Sequence, residues 1–381
     1  MFSNKDLRKL IIPLVIEQLL AVTIGMADTV MVSSCGEAAV SGISLVDSIN
    51  FLLITLFSSL ATGGAVIASQ YIGRGDHKSA SLAAKQLFYA SLALSAVLGI
   101  IAVFFRKPVL NMVFGSIEAD VMAHAQIYFL LSAISYPFLA VYNAGAALFR
   151  SMGDSRTTML ISILMNTINI VGNAILIYGF QMAAAGAATA SLVSRAVGAI
   201  IITVLLLNPH RIIFYDKLHK PEIHLSMLKS ILQIGVPNGL ENSIFQIGKI
   251  LVASIVSGFG TISITANAVA GNLASLQVIP GMALGMAMIT VVGQCIGAKD
   301  YEAVKKYTKK LMLITYGVVW AMTLLMLLFS KQILSFYSLS EETTTMTMEV
   351  FIVHGICAVI VWPLAFALPN ACALRTMCAL R

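Results

Sequence analysis

Long apolar runs, separated by short polar segments, recur along the whole chain. Most runs reach the length of about 20 residues that an α-helix needs to cross a bilayer. They are rich in Leu, Ala, Ile and Met and lack the alternation of barrel strands, which are about ten residues long. The pattern predicts ten spanning helices, at about residues 10–34, 44–72, 80–105, 121–149, 157–179, 184–207, 226–257, 263–296, 304–329 and 344–371.

Composition excludes an ordinary soluble protein. The hydrophobic fraction is 59% and the charged fraction 11%, whereas a soluble domain is roughly a quarter charged. Backbone polar groups inside lipid must be paired within the protein, so spanning segments are helices or closed barrels. The sequence therefore predicts an all-α polytopic membrane protein. Its first run lacks the layout of a cleaved signal peptide and is interpreted as a spanning helix.

The distribution of basic residues predicts the orientation. With a cytoplasmic N-terminus, nineteen of the 24 Lys and Arg residues fall on the inner side, three fall on the outer side, and Arg195 and Lys249 fall inside spans. The positive-inside rule then favours a multi-pass protein of the plasma (inner) membrane. The net charge of +7 suits loops that face anionic lipid, and no nucleic acid partner is needed to explain it.

An internal duplication organises the chain. With an offset of 224 residues, "QYIGRGD" at residues 70–76 aligns with "QCIGAKD" at 294–300, and Pro13 aligns with Pro237. The glycines suit helix ends, and the aspartates suit the N-caps of the helices that follow. One period holds six spans, which predicts two parallel-repeat lobes, a hallmark of secondary transporters. The predicted lobes are residues 1–207 and 226–381, joined by a cytoplasmic linker at 208–225.

Several segments resemble the MATE (multidrug and toxic compound extrusion) family. They are "MADTVMV" in the first helix, "ATGGAVIASQYIGRGD" in the second, "NAGAALFRSMGD" after the fourth and "NTINIVGNAILIYG" in the fifth, and the likeness runs to about residue 371. The resemblance implies a monomeric exporter of organic cations or drugs that runs against an inward flow of H+ or Na+. It implies no cofactor beyond that coupling ion.

The second repeat is shorter than the first. After Pro369 and Asn370 the chain reads "CALRTMCALR", in which Arg375 echoes Arg150, and no Gly-Asp pair follows. The offset places the end of a complete repeat about fifty residues further on. We therefore expect a C-terminally truncated or frameshifted transporter with 6 + 4 spans, lacking the last two of twelve helices. Such an incomplete second lobe would transport poorly or not at all.

Acidic residues inside the predicted spans are candidates for function, because a charge in the bilayer is costly. Asp28 lies deep in the first helix with no basic neighbour in sequence, so it is a candidate for gaining and losing a proton. The resemblance places it at the helix-one aspartate of the cation site in the N-lobe. A pairing with Arg195 or Lys249, or exposure to a watery crevice, is the structural alternative. Asp47, near the outer end of the second helix, is expected to be hydrated.

The fifth helix carries a polar stripe. Its members recur at intervals of four, three and four residues and so share one helix face; they are Ser162, Asn166, Asn169 and Asn173. Hydrogen bonding between helices is the structural alternative. By resemblance, the coupling site joins Asp28 to Asn143, Asn169, Asn173 and Ser191. Asn173 stands where other members carry Asp and cannot titrate, which leaves Asp28 as the only titratable member of that set.

The second lobe offers weaker candidates. Glu241 follows Pro237 by four residues, whereas NorM-like members carry a glutamate deeper in this helix, where this chain has Phe245. Glu241 is therefore only an approximate match to a cation ligand, and pairing with other groups is its alternative. His354 could titrate near neutral pH or serve as a hydrogen-bonded structural residue.

Three other function classes fit the sequence less well. A lipid-linked saccharide flippase of related fold would be expected to line its cavity with more basic residues than Arg195 and Lys249. A membrane enzyme would need a metal or nucleophile constellation, and the five scattered cysteines form neither a zinc motif nor a disulfide framework. The parallel repeat disfavours a receptor or channel. The sequence predicts a transporter, without metal, and leaves H+ and Na+ open as coupling ions.

Overall fold

All regular structure in the described part of this computed structural model is helical. The structure describes residues 2–114, 118–216, 218, 222–335 and 340–371. The predicted echo of Arg150 at Arg375 lies outside the described residues, as does the rest of the tail.

The helices follow the predicted order and extend further at most ends. Their bounds are α1 Asn4–Ser33, α2 Glu37–Gly73, α3 His77–Phe114, α4 Ala119–Ser151, α5 Ser155–Asn173, α6 Ala183–Leu206, α7 Leu225–Ser257, α8 Thr261–Gly297, α9 Tyr301–Leu328, α10 Ser330–Ser335 and α11 Glu341–Ile360. π-Helical segments follow α5 at Ala174–Gly179 and α11 at Pro363–Ala367.

Nine helices of the described chain, α2–α9 and α11, are long and apolar enough to cross a membrane. This confirms the prediction of an all-α polytopic membrane protein. The first predicted span, α1, is a continuous helix around Pro13, but the side chains of Thr23, Met26, Ala27 and Thr29 lie outside those described. The division into 6 + 4 spans stays a prediction.

The duplication reappears in the geometry of the helix ends. Gly73 and Gly297 end α2 and α8, as predicted. Asp76 accepts a hydrogen bond from the backbone N–H of Ser79 at 2.9 Å, and Asp300 accepts one from Ala303 at 2.9 Å. Each aspartate thus satisfies a donor that the first helical turn leaves unpaired. The hydroxyl and backbone N–H of Ser79 hold the pKa of Asp76 below its ordinary value.

The chain forms two compact units, and the boundaries between them fall within α1 and α7. The N-terminal unit is Leu19–Gly239, and the C-terminal unit is Met1–Gln18 with Leu240–Arg381. The segment at 208–225 belongs entirely to the N-terminal unit. The lobes inferred from the repeat rest on sequence correspondence, a different criterion, and stay a prediction.

In the N-terminal unit, α4 is the central helix and packs against α2, α3 and α6. Phe57, Phe129 and Tyr136 are almost completely buried between these helices. In the C-terminal unit, α8 packs against α9 and α11, and Phe351 and Leu273 belong to its core. Each unit therefore has an apolar core of its own.

Glycine residues on both helices allow the first half of α7 to approach α2 so closely that their backbone atoms are nearly in contact. A Cβ atom at Gly63 of α2 would lie 2.5 Å from the carbonyl oxygen of Ile231 and 2.9 Å from the backbone nitrogen of Gly235. A Cβ at Gly235 would in turn lie 3.2 Å from the Ser59 carbonyl oxygen. Gly235 and Gly239 form a Gly-x-x-x-Gly pair, the pattern that permits close helix contacts in membranes.

The segment between α6 and α7 is hydrogen-bonded to α3. Gln86 Nε2 donates to the Glu222 carbonyl at 2.6 Å, and Gln86 Oε1 accepts from the His224 N–H at 3.0 Å. Tyr89 donates to the Leu218 carbonyl at 2.9 Å. Tyr215, in the same segment, is buried with its ring centroid 5.3 Å from that of Phe88. These contacts fix the path of the segment along α3.

We expect Gln86→Ala to release this segment, because the change removes both hydrogen bonds of the buried amide. Each is worth about 1 kcal/mol, so losing both should raise the locally open population about thirtyfold. Limited proteolysis within residues 208–225 measures the effect as a faster first cleavage. Gln233→Ala, at an exposed position of α7, is the matched control. Equal cleavage rates in both variants would show that Gln86 does not hold the segment.

Candidate functional site

Asp28 of α1 is hydrogen-bonded to the end of α5. The amide Nδ2 of Asn173 donates to Asp28 Oδ1. Asn173 is completely buried, whereas Asp28 is half-buried. The π-helical segment begins at the next residue, Ala174, and such segments often mark functional sites. The contact joins the two residues that the resemblance placed in one cation site.

Further hydrogen bonds connect this pair along α5 to α6. Asn173 Nδ2 also lies 3.4 Å from Asn169 Oδ1, and Asn169 Nδ2 donates to Ser191 Oγ at 3.0 Å. Four of the predicted site residues are therefore linked in the order Asp28, Asn173, Asn169, Ser191. Asn143 is half-buried on α4 and makes no side-chain hydrogen bond to these four in the described structure.

Two amide atoms of the polar stripe have no hydrogen-bond partner in the described structure. They are Asn173 Oδ1 and Asn166 Nδ2, and both are buried. A buried polar atom without a partner is costly, so these positions suit a ligand that supplies one. Asn173 Oδ1 belongs to the same amide that binds Asp28, which places an unused acceptor beside the carboxylate.

The structural alternative for Asp28 was an ion pair with Arg195 or Lys249. Asp28 forms no ion pair among the described residues. Arg195 instead donates from Nη1 to Ser135 Oγ at 2.7 Å. The Lys249 ammonium lies 5.2 Å from the centroid of the Phe245 ring, a cation–π contact.

The candidates of the second lobe, Glu241 and His354, belong to the C-terminal unit. Glu241 is exposed on α7 and has no ion pair in the described part of the chain. The Nδ1 atom of His354 lies 2.9 Å from the Val350 carbonyl of its own helix, which is the contact expected of a structural histidine. The structure thus shows no hydrogen bond that joins Glu241 to His354. Their roles stay predictions.

Sequence reasoning missed a second polar cluster, between α2 and α4. Asp47 Oδ1 accepts from the Tyr128 hydroxyl at 3.0 Å and from Asn50 Nδ2 at 3.2 Å. Asn50 in turn accepts from the Tyr136 hydroxyl at 2.8 Å and lies 3.3 Å from Ser132 Oγ. Asp47 is therefore an exposed carboxylate that is also hydrogen-bonded to two side chains, and its hydration stays a prediction. An acid inside a predicted span was the available signal.

Comparison with known proteins places this geometry in context. The MatE family model matches residues 13–175 and 237–375. The uncharacterized transporter YisQ of Bacillus subtilis is 28% identical over 343 residues, which cover 87% of this chain and 73% of YisQ. The probable multidrug resistance protein NorM of Thermotoga maritima is 29% identical over 310 residues, covering 79% of this chain and 65% of NorM.

The fold has a close match among solved structures. A crystal structure of MATE in the straight conformation superposes with a TM-score of 0.90 at 20% sequence identity, covering 97% of this chain and 82% of that one. The family match confirms the resemblance inferred from the four sequence segments and the prediction of a transporter instead of an enzyme. The chain belongs to the MatE family of membrane transporters.

Proposed function

We propose that the chain exports organic cations or drugs in exchange for H+ or Na+ by alternating access, with Asp28 as the coupling residue. The observation that carries this proposal is the hydrogen-bonded chain from Asp28 through Asn173 and Asn169 to Ser191. The printed name of the NorM relative, a probable multidrug resistance protein, supports the choice of substrate class.

The environment of Asp28 suits a group that changes charge during a cycle. The Asn173 amide donates to the carboxylate now, and by rotating it can present its unpartnered oxygen to a protonated carboxyl. Both charge states of Asp28 thus find a partner. The side-chain oxygen atoms of Asp28, Asn173, Asn169 and Ser191 are also the hard ligands that Na+ would take. The site therefore suits either coupling ion.

Exchange follows from one negative charge shared between competing cations. The Asp28 carboxylate can be neutralised by a proton, by Na+ or by an organic cation. Binding of the coupling ion removes the charge that attracts the substrate, since an uncompensated charge in the bilayer is costly. The two ligands then occupy the site in turn, which is the requirement for antiport.

The membrane placement is part of the proposal. We infer that the protein lies in the plasma (inner) membrane with its N-terminus in the cytoplasm, because nineteen basic residues then face inward. Small organic cations reach such a protein from the cytoplasm or from the bilayer itself.

The decisive experiment is transport in proteoliposomes. The purified chain is reconstituted, and export of a fluorescent cationic dye is followed under a proton gradient and, separately, under a sodium gradient. Dye movement that requires one of the two gradients supports the proposal and identifies the coupling ion. Dye movement that is the same with and without both gradients would refute coupled transport.

We expect Asn173→Asp to steepen the dependence of dye export on pH. The substitution places a second carboxylate within hydrogen-bonding distance of Asp28, and two such groups titrate as a coupled pair. Export rates measured across a pH series under one constant gradient test this. Asn166→Asp, on the same helix face but without a described hydrogen bond to Asp28, is the control. An unchanged profile in Asn173→Asp would show that residues 28 and 173 do not share a coupling site.

A further inference from the structure

The hydrogen-bonded cluster around Asp47 has no role in the function proposed above. It contains a hydrogen-bonded carboxylate, exposed at the surface of the protein but inside a candidate membrane span, where a charge is normally excluded unless it is used. We propose that Asp47 is a second proton-binding residue of the N-terminal unit and that Arg195 is the countercharge shared by Asp47 and Asp28. The inference rests on the proposed function and adds a residue to its coupling site.

The partners of Asp47 accommodate either protonation state. A carboxylate accepts hydrogen bonds only, and Asp47 accepts from Tyr128 and from Asn50. When Asp47 is protonated, its new O–H needs an acceptor, and the Tyr128 hydroxyl becomes one by rotating its own hydrogen away. Asn50 keeps donating to the remaining lone pairs. Protonation therefore leaves the Asp47 carboxyl hydrogen-bonded to both Tyr128 and Asn50, while the Tyr128 hydroxyl hydrogen turns away from it.

A series of contacts through α4 connects Asp47 to Arg195. Asn50 Nδ2 lies 3.3 Å from Ser132 Oγ, the Ser135 hydroxyl donates to the Ser132 carbonyl at 2.7 Å, and Arg195 Nη1 donates to Ser135 Oγ at 2.7 Å. The guanidinium stays charged at all working pH values. It is therefore a fixed positive charge at the end of the cluster.

Arg195 also lies beside the Asp28 chain. It follows Ser191 by four residues on α6, so the two side chains share a helix face. Ser191 is the last member of the chain that starts at Asp28. Arg195 is thus tied to the Asp47 cluster through Ser135 and to the Asp28 chain through its position beside Ser191 on α6.

Other ionisable groups near Asp47 do not supply this countercharge. The ionisable groups hydrogen-bonded within the cluster are Tyr128 and Tyr136, which donate to Asp47 and Asn50, and Arg195, which donates to Ser135. Asp47 forms no ion pair with any of these in the described structure. Arg195, hydrogen-bonded into the same cluster, is the one whose position is fixed by the contacts above.

Charge balance then sets how many protons a bound cation displaces. With one fixed positive charge and two carboxylates, the cluster is neutral when one proton is bound, or when both carboxylates are ionised and one monovalent organic cation is bound. When both carboxylates are protonated at low pH, binding the same cation with neutrality requires the loss of two protons. Without a carboxylate at residue 47, only Asp28 has a proton to release.

The test counts protons released when tetraphenylphosphonium binds to the purified full chain. Isothermal titration calorimetry in buffers of different ionisation enthalpy gives this number at each pH. In the parent protein we expect it to rise above one and approach about two as the pH falls, as for two coupled acids. In Asp47→Asn it should not exceed about one at any pH. Asp47→Glu should restore the higher number.

Matched variants separate proton binding from a structural role. Tyr128→Phe removes a hydrogen bond to Asp47 but keeps both carboxylates, so its proton count should still exceed one. A structural role alone predicts that Tyr128→Phe and Asp47→Asn impair binding alike and that neither changes the proton count. Size-exclusion chromatography of each variant confirms that it is folded before the titration.

The outcomes separate a failure of this inference from a failure of the proposed export function on which it rests. If the parent releases more than one proton and Asp47→Asn does the same, Asp47 is not a proton-binding residue, whereas coupled export stands. If the parent binds the probe without releasing protons and exports dye under a sodium gradient, the inference is again wrong and export stands. If the parent shows neither proton release nor gradient-driven export, both the inference and the proposed function are refuted.

Discussion

Asp28→Asn is expected to abolish gradient-driven export of a cationic dye while the protein still folds and inserts. The carboxamide has the shape of the carboxylate, and its oxygen can still accept the hydrogen bond from Asn173 Nδ2. It cannot be protonated or carry the charge that attracts a cation. Export in proteoliposomes should fall to the level of empty vesicles, with equal amounts of monodisperse protein reconstituted.

Asp120→Asn is the matched control for that result. It makes the same chemical change at an exposed position in the first turn of α4 and should leave export at the parent rate. Parent-rate export by Asp28→Asn would refute the assignment of Asp28 as the coupling residue, whatever other groups carry the cation.

Gly63→Ala is expected to destabilise the N-terminal unit strongly. The added methyl would meet the Ile231 carbonyl oxygen at 2.5 Å and the Gly235 nitrogen at 2.9 Å, and backbone atoms cannot turn aside as a side chain can. Overpacking of a tight contact costs about 1–3 kcal/mol, and separating two helices should place the effect at the upper end. A thermal unfolding series in detergent, followed by size-exclusion chromatography, measures the lower midpoint.

Gly271→Ala serves as the comparison for Gly63→Ala. Gly271 lies within α8, and a methyl group there would meet no atom within 4 Å. Alanine is favoured over glycine in a helix by about 1 kcal/mol, so this variant should be as stable as the parent or more so. Equal midpoints for both variants would show that the α2–α7 contact adjusts freely.

The helices could be predicted from sequence because the bilayer imposes their length and composition. Apolar runs separated by polar turns gave α4 and α6 to α9 within a few residues, whereas α2 begins seven residues earlier, α3 ends nine residues later and α11 ends eleven residues earlier than predicted. The two aspartates at residues 76 and 300 were predicted as caps. The close approach of α7 to α2 was not predicted. Its signal, the glycines at residues 235 and 239, identifies a surface that can be approached closely but does not identify the partner helix.

The candidate site was predictable only where one helix carries a pattern. Asn169 and Asn173 share a face of α5, and the resemblance supplied Asp28 and Ser191 as neighbours. The Asp47 cluster takes isolated residues from α2, α4 and α6, among them Ser135 and Arg195. Nothing local in sequence relates such residues, because the packing of the three helices brings them together.

The hydrogen bonds of Gln86 have a consequence for how the sequence can vary. Its amide contacts the carbonyl of Glu222 and the N–H of His224, and both belong to the backbone. Tyr89 likewise contacts the backbone of Leu218. Side chains at residues 218 and 224 can therefore drift during evolution without loosening the segment, provided that residue 224 does not become proline. The Glu222 side chain is constrained, because its carboxylate pairs with the buried Lys85 ammonium at 3.8 Å. A saturation mutagenesis library should tolerate most substitutions at 218 and 224 and fewer at residues 86 and 222.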